Sequence, residues 1–356
     1  MFRILAVNPG STSTKTALFE DEKCLWEQVL RHSDAELARA GDWAGQADLR
    51  RQALLAELHQ KGVDPAGLSA LVVRGGLLKP LPAGVYYVDE EIYRDLLECR
   101  FGRHASNLGS IIAYPLAREL GIPAYTVDPV TVDEFEDVAR YSGLKGIPRL
   151  SMSHALNMKA VARQAAKRLG KTYAELNLVI VHLGGGISVS AHRRGRMIDV
   201  NNANNEGPFS LERCGTLPAL GLINLCFKAG ASEEEMAALV TSRGGIYSYL
   251  GTRDFQEVER RIFAGDEEAR LVVEAMVYQV GKEVGAMATV LYGAVDRIVL
   301  TGGMAHSAYL IGLIKPRVSF IAPVEVIPGE EELAALAAGA LRVLRGEEEP
   351  LIYGEF

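Results

Sequence analysis

Two short stretches of this sequence carry residue types suited to holding phosphate. In the first, the apolar run Ile4-Leu5-Ala6-Val7 enters Asn8-Pro9-Gly10-Ser11-Thr12-Ser13-Thr14-Lys15, and a second apolar run leaves through Phe19. Short runs rich in branched apolar residues predict buried strands, and the segment between them predicts a tight turn. Backbone amides in such a turn form an anion-binding concavity, and Lys15 adds a point charge. Asn8 comes directly off the buried run. The hydroxyls of Ser11, Thr12, Ser13, Thr14 and Thr16 exceed what a turn needs. Taken alone, the stretch reads equally well as a surface hairpin with a solvated Lys. It is not a P-loop: Thr14 stands where the second Gly belongs, and the segment after Lys15 is strand-like.

The second stretch repeats the design. Leu178-Val179-Ile180-Val181-His182 enters Leu183-Gly184-Gly185-Gly186, Ile187-Ser188-Val189-Ser190-Ala191 leaves, and Met197 to Val200 follows as Lys23 to Leu30 follows the first copy. The long spacing between the copies predicts a pair of similar domains rather than a solenoid. Other predicted strands also end in polar residues or glycine: Val73-Arg74-Gly75-Gly76, Val127-Asp128 and Leu300-Thr301-Gly302-Gly303. Ligands of open α/β sheets sit beyond strand ends. His182 reads as a phosphate donor or as a buried, satisfied histidine. Thr301-Gly302-Gly303 would let a flat group such as adenosine lie against backbone, or it is an ordinary turn. Asp128 could hold Mg²⁺ through water, or cap an Asp-Pro turn. Glu331 opens the last helix, where the dipole alone favours an acid. Arg74, Arg213 and His154 are candidate donors to a transferring phosphoryl group, whose charge spreads over three oxygens. A surface ion pair for Arg213 and a first-turn helix position for His154 are the competing readings.

The elements that must position these residues follow from periodicity. Strands are predicted at 23–30, 69–73, 85–88, 124–127, 197–200, 297–300 and 323–327. Helices are predicted at 34–61, 89–99, 106–119, 154–169, 216–228, 232–240, 254–263, 266–292 and 331–344, with 129–150 irregular. A chain of 356 residues exceeds what one core usually serves. Two domains are expected, 1–150 and 151–356, with the last helix packing back on the first. The formal charge of −7 with no basic block makes nucleic acid an improbable partner. Four scattered cysteines without a C-x-x-C argue against a zinc site or a disulfide scaffold and fit a reducing compartment. No charged n-region with an apolar h-region precedes the first strand. The apolar segment 271–294 is interrupted by Glu274, Gln279, Lys282 and Glu283 and reads as a buried helix, not a membrane span. A cytoplasmic protein is expected.

Asn8 to Lys15, His182 to Ser188, Glu206-Gly207-Pro208-Phe209 and Thr301-Gly302-Gly303 together resemble the acetokinase family, within the acetate and sugar kinase/Hsp70/actin superfamily. The resemblance runs over nearly the whole chain in the right order. It implies an α/β fold of two duplicated ribonuclease-H-like domains, each a mixed sheet flanked by helices, around a nucleotide cleft. The first domain is then the acyl-substrate side and the second binds the nucleotide. The implied reaction is reversible phosphoryl transfer between ATP and a short-chain carboxylate, giving an acyl phosphate and ADP, with Mg²⁺, in a homo-oligomer. Carried over by position, Asn8, Ser11, Ser13 and Lys15 form the first phosphate motif. His182 with Gly184, Gly185 and Gly186 forms the second, and Thr301, Gly302, Gly303 and Met304 the adenosine motif. Asp128 and Glu331 are similar to the family's metal-linked acids, the latter placed only to within Glu330–Glu332. His154 resembles its phosphoryl-stabilising His and Arg213 its catalytic Arg. The chain departs from the acetate-kinase pattern Arg-Val-Val-His-Gly-Gly at Leu71-Val72-Val73-Arg74-Gly75-Gly76, where Arg74 replaces the His. That departure favours the butyrate branch. Acetate, propionate or a branched acid such as isobutyrate stays open as acceptor, as does a non-catalytic, actin-like ATP switch.

Overall fold

The computed structural model describes residues 1–228, 230 and 232–356, which divide into two compact units, Met1–Val132 with Glu331–Phe356, and Asp133–Glu330. In the first unit the strands are β1 (Arg3–Pro9), β2 (Ser13–Glu20), β3 (Lys23–Arg31), β4 (Ala70–Val73), β5 (Val85–Tyr87) and β6 (Ala124–Val127). They form one sheet in the order β3-β2-β1-β4-β6-β5. In the second unit β7 (Asn177–Leu183), β8 (Ile187–Arg193), β9 (Arg196–Val200), β10 (Arg297–Thr301) and β11 (Val324–Val326) form a sheet in the order β11-β10-β7-β8-β9.

The duplication read from the sequence is present in the topology. Each sheet has an antiparallel meander, β1-β2-β3 or β7-β8-β9, joined to two parallel strands, β4 and β6 or β10 and β11. The copies agree in detail. A register shift falls between Leu18 and Phe19 in one meander and between Ala191 and His192 in the other, where Leu18 faces Leu5 and Ala191 faces Val179, each the third residue of its strand. Such a bulge adds twist to the outer hairpin. Unit 1 differs by its antiparallel edge strand β5.

β1, β4, β7 and β10 are buried on both faces, which is why they read as continuous apolar runs rather than alternating ones. One core in unit 1 joins the sheet to the helices Trp43–Gln60 and Asn107–Leu120 through Leu5, Leu71, Leu54, Leu58, Ile112 and Leu116. A second, in unit 2, joins β7, β8 and β10 to the long helix Glu267–Val290. The predicted helix 34–61 is broken at Gly41 and Asp42, because Asp42 caps a new helix by accepting from Gly45 N–H. A short helix, Gly245–Leu250, was not anticipated; glycines flank it and hide its period. The interval 129–150 holds only a 3₁₀ turn, Asp137–Arg140.

The last helix, Glu332–Leu344, belongs to unit 1. Gly339 in it leaves no room for a side chain: a Cβ would lie 2.6 Å from a Val127 methyl. Replacing Gly339 by Ala should therefore destabilise the protein by about 1–3 kcal/mol in urea unfolding, despite the ~1 kcal/mol helix-propensity advantage of Ala.

Candidate functional site

The candidate residues cluster at the carboxyl ends of the parallel strands, each unit presenting its own group. In unit 1, the β1–β2 connection is the three-residue turn Gly10-Ser11-Thr12, closed by Gly10 N–H donating to Ser13 O (2.7 Å). Asn8, Ser11, Ser13, Lys15 and Arg74 line one cavity of about 470 Å³. Arg103, His104 and Ser106 complete its wall. The sequence reading missed these three. They sit in the connection before the helix Asn107–Leu120, with no strand end to flag them. Ser106 N–H donates to His104 Nδ1 (3.2 Å), which makes Nε2 the proton-bearing nitrogen of the neutral ring.

Glu332, not Glu331, is the carboxylate beside the turn: it accepts from Asn8 Nδ2 (2.5 Å) and pairs with Arg74. Glu331 is exposed, and its backbone lies in the left-handed region at φ 22°. Asp128 also has positive φ, 40°, at the end of β6. A non-glycine residue held there is strained, and such strain collects at functional positions. Asp128 is buried and accepts from Gly84 N–H (2.9 Å). It does not line the cavity that holds Asn8 and Arg74.

In unit 2, the β7–β8 connection is the matching three-residue turn, Gly184-Gly185-Gly186. Three side chains lie beside its glycines, most tightly at Gly186. A Cβ on Gly184 would meet His182 Nε2 at 3.0 Å, and one on Gly186 would meet Arg213 Nη1 at 2.4 Å. A Cβ on Gly185 would touch Glu212. His154 and His182 stack with centroids 3.8 Å apart, and His154 Nδ1 bonds Ser188 Oγ (2.9 Å). His182 Nδ1–H donates to Asn157 Oδ1 (2.8 Å), which leaves Nε2 turned toward the turn, 3.3 Å from Glu330 Oε1. Burial pushes the Arg213 guanidinium below its ordinary pKa, with Glu212 opposing. Among the described residues, His182 Nε2 and Arg213 Nε are both buried without a hydrogen-bond partner.

Arg213 is held through its backbone support. Its Nη1 donates to Ala203 O (3.2 Å), and Ala203 N–H donates to Met152 O (3.2 Å), two residues before His154. The segment after β9 that carries Ala203 is tied down by Glu206, which accepts from Arg149 Nη2 (3.2 Å) and from Asn202 N–H (3.1 Å). Arg149 also reaches Asp199 (2.9 Å). Burial raises the Asp199 pKa, against the pull of Arg149.

Of the adenosine motif, Thr301 is buried opposite His182 in the β7–β10 register and donates to Gly329 O (3.2 Å). Gly302 has φ 90°, and a Cβ there would strike Leu183 O at 2.3 Å, so glycine is required. Gly303 is exposed. Met304 packs into the unit 2 core, so its side chain is structural.

The architecture is that of carboxylate kinases of known structure. Acetate kinase from Porphyromonas gingivalis superposes with a TM-score of 0.77 at 20% identity, over 96% of this chain and 99% of that one. A propionate kinase from Francisella tularensis subsp. tularensis SCHU S4 gives 0.74 at 19% identity, over 95% and 99%. The chain belongs to the acetokinase family. Residues 139–316 match the model of that family. "Probable butyrate kinase 2" of Caldanaerobacter subterraneus subsp. tengcongensis is 50% identical over 354 residues, 99% of this chain and 100% of that relative. Membership of a kinase family implies use of ATP and ADP. Among the described residues, no helix is long and apolar enough to cross a membrane.

The carboxylate register can be tested directly. Replacing Glu332 by Ala should cost about 1–3 kcal/mol in urea unfolding, because it strands the half-buried Arg74 and Asn8 donors. The same change at exposed Glu331 should stay within about 0.5 kcal/mol.

Proposed function

We propose that this protein is a short-chain fatty acid kinase that moves a phosphoryl group reversibly between ATP and butyrate, giving butyryl phosphate and ADP. The observation that carries this reading is Arg213 Nε, a buried guanidinium donor without a hydrogen-bond partner beside the Gly184–Gly186 turn. Buried donors without partners are rare, and an anionic phosphoryl group would satisfy this one. The choice of butyrate follows the relative that is half identical over the whole chain.

The roles follow from chemistry. Asn8, Ser11, Ser13 and Lys15 bind phosphate through hydroxyl, amide and ammonium donors. Gly184 to Gly186 let backbone approach a second phosphate closely. Thr301, Gly302 and Gly303 leave backbone open to adenosine. Arg213 and His154 stabilise the oxygens of the transferring group, and His182 lines the Gly184–Gly186 turn beside them. Arg74, held by Glu332, is placed to meet the carboxylate or the acyl phosphate. The acceptor carboxylate is already ionised at neutral pH and needs no general base, so catalysis is positioning and electrostatics in a direct in-line transfer. Asp128 and Glu331 would hold Mg²⁺. Their hard oxygens suit an ion that takes one or two protein carboxylates and keeps its waters. Bound Mg²⁺ supplies charge neutralisation on the nucleotide phosphates. We place the enzyme in the cytoplasm as a homo-oligomer, with the first unit on the acyl side and the second on the nucleotide side.

Hydroxamate trapping with ATP and a panel of acids tests the reaction. Butyrate should give the largest signal. Neighbouring acids should follow within about one to two orders of magnitude, since a methylene is worth ~1–3 kcal/mol. No product with any acid would favour the actin-like switch. Arg213→Ala should lower kcat by about 10²–10³, and near-normal turnover would remove Arg213 from the mechanism. Gly186→Ala should also slow turnover, because the methyl displaces the Arg213 guanidinium.

A further inference from the structure

One charged group stands outside the chemistry described so far. Arg50 lies on the helix Trp43–Gln60, whose buried positions Ala47, Arg50, Leu54 and Leu58 fall on one face. The guanidinium is thus carried inward on an otherwise apolar stripe, and it is 0% exposed. It has no carboxylate partner among the described residues: burial alone lowers its pKa, and no neighbouring acid raises it. Its donors go to the β1–β2 turn instead. Nη1 donates to Ser13 O (2.8 Å) and to Thr14 Oγ1 (2.9 Å), and Nη2 donates to Ser11 O (2.8 Å). Nε makes no hydrogen bond.

This geometry acts on the turn in two ways. Peptide planarity places each N–H opposite the carbonyl of its own unit, so holding Ser11 O turns the Thr12 N–H away from Arg50. Thr12 O is held in addition by His32 N–H (2.9 Å). Burial first and Arg50 second lower the His32 pKa, with Glu36 opposing, and its Nε2 hydrogen-bonds the Thr14 hydroxyl (2.9 Å). Three carbonyls of the turn are therefore fixed from behind. The second effect is charge. An unpaired buried cation is costly, and a planar fork bonding three acceptors is something a Lys cannot reproduce. An anion arriving at the turn offsets that cost.

We propose that Arg50 is a positioning residue for the phosphate-binding turn: its fork fixes the Ser11 and Ser13 carbonyls, and its buried charge is balanced by the phosphate the turn receives. The proposal rests on the reading that Asn8 to Lys15 binds phosphate.

Steady-state kinetics of Arg50→Lys and Arg50→Gln test it, with Leu54→Ala as a control that weakens the same helix without touching the turn. Both Arg50 variants should raise the KM for ATP roughly tenfold or more, as misplaced binding groups do, while the KM for butyrate stays close to the unaltered value. Leu54→Ala should leave both KM values in place. Normal KM for ATP in the Arg50 variants, or an equal rise in Leu54→Ala, would overturn the assignment. Lys15→Ala separates the two levels. A normal KM for ATP there discards the phosphate-turn reading itself. A raised KM there with normal Arg50 variants discards only the role of Arg50. In the unaltered protein, ATP should slow amide exchange across 43–60 as well as in the turn. Protection confined to the turn would count against the proposal even if neither variant folds.

Discussion

Phosphate carries dense negative charge, and this chain is itself acidic, with a formal charge of −7. Every device in the two candidate sites answers that one constraint. Positive charge and N–H donors must be concentrated locally and held rigid, because flexible surface cations are screened within about 10 Å at ordinary salt. The structure does this at the carboxyl ends of parallel strands, where side chains from rigid sheets project beyond the ladder. Lys15, Arg74 and Arg103 gather at one cavity, and Arg213 lies against Gly186 with its guanidinium largely buried. Buried cations act strongly because little water screens them.

The duplicated fold applies one solution twice, with different chemistry. The three-residue turn after β1 carries hydroxyls and a lysine. The turn after β7 carries only glycine, and its space is filled by His182 from the end of β7 and by Glu212 and Arg213 from a later segment. A hydroxyl-rich turn brings its own donors. A glycine turn yields room, so other side chains fill it and need supports: Asn157 for His182, Ala203 for Arg213, and Arg149 through Glu206 for the segment bearing Ala203. Removing a support leaves the donor present but misplaced, and small misplacements near a reacting group are expensive.

Much of this was legible in the sequence. Strands buried on both faces announce themselves as apolar runs, and the turn residues fix where the hairpins close, so both meanders and their duplication were readable. The Asn8–Lys15 and His182–Gly186 motifs lie inside such hairpins and inherited that clarity. What escaped depends on tertiary packing. The run Glu330-Glu331-Glu332 has no internal feature to mark the carboxylate that meets Asn8 and Arg74; helix phase decides it. Arg103 and His104 reach their cavity from an irregular connection. Met304 follows two glycines at a strand end yet turns into the core. Arg50 is hidden differently: it shares the buried stripe of Ala47, Leu54 and Leu58, but nothing in the sequence sets its charge apart from that of Arg51.

The central claim is that these groups serve transfer of one phosphoryl group between a nucleotide and a carboxylate. Phosphorus-31 NMR of the protein with ADP, Mg²⁺ and butyryl phosphate follows that transfer atom by atom. The account predicts that the acyl phosphate resonance is replaced by the γ resonance of ATP, one for one. Release of inorganic phosphate without ATP, or an unchanged spectrum, would contradict it.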